Sequence, residues 1–186
     1  MCGIFGVLSD GPVVNKIIKG LHKLEYRGYD SSGISVVVDQ KIQTIRAQGK
    51  LINLKKKLSN KNIEGTLGIG HTRWATHGIP STKNAHPHNS TNVSIVHNGI
   101  IENYSELKKN LLKKSYVFKS ETDSEVIAHL IDLNLKNSAP EQALKKTLSC
   151  LEGAFAIAIL FKDQNFLVGA RKGSPLAIGI SEKSFY

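Results

Sequence analysis

Only two cysteines, Cys2 and Cys150, occur in the 186 residues, too few for a disulfide framework and no cluster for zinc. A free thiol in a reducing compartment is the expectation. No apolar run approaches the roughly 20 residues that cross a bilayer, and the first residues lack the charged and apolar segments of a signal peptide, so no membrane association and a cytoplasmic location are expected. Acidic residues are in the minority: 15 Asp and Glu face 25 Lys and Arg, a net charge of +10. That excess is spread over several segments, with no arginine-rich run and no interleaving of basic and aromatic residues. No nucleic acid is therefore expected as a partner, while an anionic substrate stays open. Internal repeats and low-complexity linkers are absent too, and a 40% hydrophobic content suits one domain with its own core.

What the chain does contain is organised from its first residues. Cys2 sits directly behind Met1 and ahead of the apolar Ile4, Phe5 and Val7. If Met1 is removed, Cys2 carries a thiol that ordinarily titrates near about 8.5 and a free α-amine that titrates near about 8. One group can take the other's proton, which puts nucleophile and base on a single residue, the cysteine counterpart of the threonine and terminal-amine arrangement. An early cysteine in a buried strand would occupy the same position, so the remaining motifs must decide.

Asp10-Gly11-Pro12 reads as a turn, and Val13, Val14, Ile17, Ile18, Leu21 and Leu24 recur at helical spacing, predicting a helix over about 13–26. Turn formers from Arg27 to Gly33 end it. Residues 34–38 and 41–47 read as an antiparallel hairpin joined at Asp39-Gln40, followed by a helix over 50–58 and a strand over 66–71. From Thr72 to Asn92, Gly, Pro, His, Asn, Ser and Thr dominate without apolar periodicity, predicting a long loop of the functional kind. A strand over 93–97 should end at Asn98-Gly99. Helices are predicted over 105–112, from Ser120-Glu121-Thr122-Asp123 to about Leu135, and over 140–151, then strands over 154–161, 166–170 and 176–180. Antiparallel strands with helices in two groups predict an α+β chain, its sheets sandwiched by helical layers.

Four polar stretches could carry chemistry. His71-Thr72-Arg73-Trp74-Ala75-Thr76-His77-Gly78 places a guanidinium, two hydroxyls and the only tryptophan at a loop entrance. Arg73 there can hold a carboxylate by two parallel bonds, or form a structural ion pair beside a core Trp74. Ala85-His86-Pro87-His88, with His71, His77 and His97, invites a metal reading, but the spacing matches no ligand pattern and carboxylates are not interleaved, so no metal is expected and the histidines read as structural or supporting. Asn98-Gly99 at a strand end offers a side-chain amide and a backbone N–H to a developing oxyanion, or marks a hairpin turn. Glu121-Thr122-Asp123-Ser124 could meet an ammonium or cap a helix.

A terminal cysteine, two oxyanion donors, an arginine for a carboxylate and an aspartate for an ammonium together describe a site for a free α-amino acid with a reactive carbonyl farther out. Glutamine fits. In Cys2-Gly3-Ile4, Glu25 to Ser31, His71 to Gly78, Ala85 to His88, His97 to Asn103 and Glu121 to Leu130, most of the chain resembles the class II glutamine amidotransferases, which are N-terminal nucleophile hydrolases. Within that family the wording is similar to the branch that supplies ammonia for making glucosamine 6-phosphate from fructose 6-phosphate; the glutaminase part of amidophosphoribosyltransferase, or a catalytically silent amino-acid-binding module, are the alternatives. The resemblance implies a four-layer αββα sandwich of two antiparallel sheets flanked by helices. It implies no cofactor and L-glutamine as substrate, hydrolysed to glutamate and ammonia through a γ-glutamyl thioester on Cys2.

By the same resemblance Asn98 and Gly99 would line the oxyanion hole, Arg73 would bind the α-carboxylate with help from Thr76 and His77, and Asp123 would bind the α-ammonium. Arg27 and Gly28 would support the nucleophile's pocket, Trp74 would gate ammonia, and His86 lies in the matching loop. Residues 1–186 would form a glutamine amidotransferase type 2 domain shortened at its C-terminal end. The sugar-phosphate isomerase domains that bind fructose 6-phosphate would lie elsewhere, in a full-length enzyme expected to be homo-oligomeric.

Overall fold

Period-two alternation along the strands decides which way each layer of this fold faces. The computed structural model of the chain describes residues 2–75 and 78–186. Its elements in chain order are β1 (Gly3–Ser9), α1 (Val14–Leu24), β2 (Ser31–Val38), β3 (Lys41–Gln48), α2 (Leu51–Leu58), β4 (Leu67–Arg73), β5 (His88–Asn89), β6 (Val93–Gly99), α3 (Tyr104–Leu112), α4 (Glu125–Leu135), α5 (Pro140–Cys150), β7 (Phe155–Phe161), β8 (Leu167–Lys172), β9 (Ile180–Ser181) and β10 (Ser184–Phe185). They pair into two antiparallel sheets, in the orders β3-β2-β4-β1-β10-β9 and β5-β6-β7-β8.

In β1, Val7 and Phe5 point outward and pack with Ile17 and Leu21 of α1, while Ile4 and Leu8 point inward. In β7 the odd positions Phe155, Ile157, Ile159 and Phe161 face outward with Ile127 and Ile131 of α4, and Ala158 and Leu160 face inward. Between the sheets Leu67 and Ile69 of β4 meet Val96 of β6 and Leu160 of β7. The result is four layers: α1 and α2, the first sheet, the second sheet, then α3 to α5, the αββα sandwich expected from the chain's patterning and resemblance. A wholly buried side chain such as Ile17 or Leu21 stabilises the fold by about 2 kcal/mol, so a charged residue at either would detach α1 from the sheet.

Three elements differ from expectation. The strand expected over 176–180 shrinks to the β9–β10 hairpin, in which only Ile180 of that stretch is paired, with Phe185, and the side chains of Ile178 and Ile180 are largely exposed. The helix expected from Ser120 starts at Glu125, because the Glu125 carboxylate accepts Lys119 N–H, Ser120 N–H and the Ser120 hydroxyl, holding 119–124 as a compact loop. And the segment 72–92 is less of an open loop than its composition suggests: β4 runs on through Arg73, β5 pairs with β6, and Ala85 to His88 are buried.

Candidate active site

The inward face of β4 that gives Leu67 and Ile69 to the core continues, two residues at a time, to His71 and Arg73, and the inward face of β6 continues from Val96 to Asn98. Both runs end beside the start of β1, where Cys2 stands on the same inward parity as Ile4. A cavity of about 310 Å³ opens there, lined by Cys2, Arg73, Asn98, Gly99 and Asp123 among others.

The Cys2 sulfur lies between the two ends of one backbone unit, accepting from Trp74 N–H over 3.2 Å and lying 3.4 Å from the Trp74 carbonyl to which the thiol donates. Burial pushes the thiol up, and the Trp74 N–H works against that shift. The Asn98 amide Nδ2 donates to the Cys2 carbonyl over 2.9 Å, while its Oδ1 lies 3.0 Å from His71 Nε2. Gly99 follows with φ of +138°, and a Cβ there would stand 2.1 Å from the Ala154 carbonyl oxygen, so only glycine closes the strand at this point. Gly28 has a comparable role by close approach: a Cβ would come within 2.6 Å of the Arg73 carbonyl carbon.

Arg73 is only 3% exposed and sits on β4 rather than in an open loop. Its guanidinium donates to Gly78 O over 3.0 Å and to Ile79 O over 3.4 Å, and Asp30 stands 3.8 Å away. The structural ion pair and a ligand role are thus both compatible with one fork of five N–H groups. Asp30 also accepts from Ser31 Oγ and from Ala75 N–H, which ties the entry of β2 to the strand end carrying Arg73. Across the cavity Asp123 accepts from Ile101 N–H over 2.8 Å and from Ser124 Oγ over 3.4 Å. It lies in the loop that Glu125 holds, a buried carboxylate lining the same cavity as the buried Arg73 guanidinium.

Behind these groups is a wall of neutral imidazoles. His71 and His86 stack with centroids 4.1 Å apart, and His86 meets His88 edge-on at 4.5 Å. Burial drives His71 and His88 down to about 3 and His97 to about 4, and takes His86 well below the ordinary range. Among the described residues no three His, Cys, Asp or Glu side chains are grouped to hold a metal ion.

Of the residues singled out in the sequence, Cys2, Arg27, Arg73, Trp74, His86, Asn98, Gly99 and Asp123 line the one cavity, and Gly28 backs the 73–74 peptide. Trp74, 47% exposed, stands at the mouth edge-to-face with Tyr29 at 5.2 Å. Thr76 and His77, like Met1, lie outside the described residues. Sequence reasoning had not singled out Asp30, nor Ser174 and Pro175, which close the cavity from the turn after β8; Gly173-Ser174-Pro175 after a strand is a turn signature that could have drawn notice. Among the described residues no helix is long and apolar enough to cross a membrane.

Comparison with known proteins fits this geometry. Residues 71–186 match the family model described as the glutamine amidotransferase domain. Over 188 residues, covering 100% of this chain and 31% of the relative, the chain is 50% identical to glutamine--fructose-6-phosphate aminotransferase [isomerizing] of Bartonella quintana (strain Toulouse). It is 53% identical, with the same coverage, to the protein of that name from Bradyrhizobium diazoefficiens. The chain thus spans about a third of the length of these curated relatives. The solved glutamine phosphoribosylpyrophosphate amidotransferase of B. subtilis superposes with a TM-score of 0.83 at 28% identity, over 100% of this chain and 41% of that one.

Proposed function

Because the chain belongs to the family of glutamine amidotransferase domains, we propose that it hydrolyses L-glutamine to glutamate and ammonia with Cys2 as the nucleophile. The observation that carries this reading is the cavity itself, where Cys2, Arg73, Asn98, Gly99 and Asp123 meet from distant parts of the chain. Removal of Met1 frees the Cys2 α-amine. Because burial keeps the thiol protonated, a base beside it is needed, and the amine takes its proton as the sulfur attacks the side-chain amide carbon of glutamine. Asn98 Nδ2–H and Gly99 N–H meet the oxygen as it becomes an oxyanion. The amine passes its proton to the departing nitrogen, ammonia leaves, and a γ-glutamyl thioester remains. Water then attacks the thioester, giving up a proton to the same amine; the thiol reforms and glutamate is released.

Opposite charges fix the amino-acid end: Arg73, with help from Thr76 and His77, takes the α-carboxylate and Asp123 the α-ammonium. With both ends held, the side-chain amide is the part that reaches Cys2. Arg27 and Gly28 support the nucleophile's pocket, His86 forms its back wall, and Trp74 gates the departing ammonia.

In the full-length protein that ammonia serves the conversion of fructose 6-phosphate to glucosamine 6-phosphate, on sugar-phosphate isomerase domains outside residues 1–186 and in a homo-oligomer. Identity of 50% and 53% to aminotransferases of that name, against 28% to the phosphoribosyl enzyme, supports this branch. The test is intact-mass analysis followed by treatment with a diazo-ketone analogue of glutamine. Met1 should be missing and one label should sit on Cys2. Labelling of Cys150 instead, or ammonia release by a Cys2→Ala protein, overturns the assignment.

A further inference from the structure

Resting on that reading and going one step behind it, we propose that His71 is a positioning residue: it sets which way the Asn98 side-chain amide faces, and so whether an N–H or an oxygen is presented beside Cys2. The His71 ring is wholly buried, and its Nε2 lies 3.1 Å from the His97 carbonyl oxygen and 3.0 Å from Asn98 Oδ1. Both partners are oxygens with lone pairs and no hydrogen, so the ring nitrogen between them must carry the proton. Burial keeps the ring neutral, with its pKa down at about 3. A neutral imidazole has a single N–H, and Nδ1 is accordingly a bare lone pair, with no hydrogen-bond partner among the described residues.

A primary amide can sit in two orientations that exchange oxygen and nitrogen. In the observed one, Oδ1 takes the His71 proton and Nδ2 donates to the Cys2 carbonyl over 2.9 Å. Turning the amide over would set its NH2 against the His71 N–H and its oxygen against the Cys2 carbonyl, losing both bonds and replacing each with a contact between like groups. The His71 proton therefore acts as a key that admits one orientation. The stacked His86 ring, 4.1 Å away, holds the imidazole plane in place. The same orientation leaves the second Nδ2 hydrogen for the oxyanion.

The competing account is that His71 merely fills core volume. It is separated by measurements on the full chain. Nitrogen-15 spectra of the unmodified protein should show His71 neutral with its proton on Nε2; a proton on Nδ1 overturns the proposal without any variant having to fold. In variants, His71→Asn should lower kcat for glutamine hydrolysis about tenfold or more, inside the hundred- to thousandfold or so that an oxyanion donor is worth, with KM changed by less than about threefold. His71→Gln, whose amide nitrogen falls near the Nε2 position, should recover most of that loss. In an Asn98→Ala background His71→Asn should change kcat by less than about twofold, because the group it positions is gone. Equal losses for Gln and Asn, or full additivity with Asn98→Ala, overturn it. Were the unmodified protein itself to release no ammonia from glutamine, the glutaminase reading would fall, while the tautomer measurement would still decide the His71–Asn98 relation.

Discussion

Replacing Gly28 by alanine tests whether the environment of the nucleophile is set by backbone. The new methyl would stand 2.6 Å from the Arg73 carbonyl carbon, 2.7 Å from its oxygen and 2.8 Å from the Trp74 nitrogen. Favourable contact between heavy atoms begins near about 3.5 Å, so the Arg73–Trp74 peptide must retreat by close to an ångström. All three obstructing atoms are backbone, and no rotamer change relieves them. The same Trp74 N–H reaches Cys2 Sγ over 3.2 Å, and a shift of that size takes it out of hydrogen-bonding geometry. A hydrogen bond to an ionised group contributes about 1.5–3 kcal/mol. At a half-buried sulfur the lower end applies, equivalent to roughly one pKa unit. The lost bond favoured the thiolate, so Gly28→Ala should raise the Cys2 thiol by about one unit above a value that burial has already raised. Read by iodoacetamide alkylation against pH, the rate near neutrality should fall about tenfold while the plateau at high pH is kept. A profile that superimposes on that of the unmodified protein, in a variant with normal circular dichroism, would refute the reasoning.

Two further outcomes are expected. Gly99→Ala combines a φ of +138° with a Cβ only 2.1 Å from Ala154 O, and should cost more than about 3 kcal/mol in urea unfolding; an unchanged midpoint would mean that the end of β6 is not confined as described. Stability should also fall on mild acidification: below about pH 6.5 the unfolded chain protonates His71, His88 and His97, whereas the folded chain holds them neutral down to about 3, 3 and 4. The folded state then binds fewer protons, so stability is full above about 6.5 and drops by up to about 1.4 kcal/mol per pH unit for each ring, and urea midpoints that stay level from about pH 7.5 to 5 would count against it.

The parts of the fold legible in the sequence are those where a single physical demand dominates. Val13, Ile17, Leu21 and Leu24 repeat at helical spacing because α1 has one sheet to cover, and residues 155–161 are apolar throughout because β7 is buried on both faces. Elements whose existence depends on distant partners were not legible. The two residues of β5 are strand only because β6 lies beside them. The start of α4 is set by a carboxylate that reaches back to Lys119 and Ser120 instead of by a residue in the capping position, so the signature that opens at Ser120 pointed ahead of the observed start at Glu125. The last strands were overestimated for the opposite reason: apolar residues at 176–180 looked like core, and most of them face outward.

For the site, reactive residue types announced themselves, but their spatial relations followed from register. Cys2, Arg73, Asn98 and Asp123 have chemistry that local sequence can flag. His71 has no local signal that separates it from His88 or His97; its part depends on falling on the inward parity of β4, two residues beyond Ile69, opposite the inward Asn98 two residues beyond Val96. The consequence reaches past this pair. A slip of one residue in the β6 pairing would put His97 in the inward place of Asn98 and turn Val96 out of the core in the same step. The apolar alternation that secures the sheets is therefore also what aims the amide at the cysteine, and selection for a well-packed interior and selection for a correctly built site act here on one and the same register.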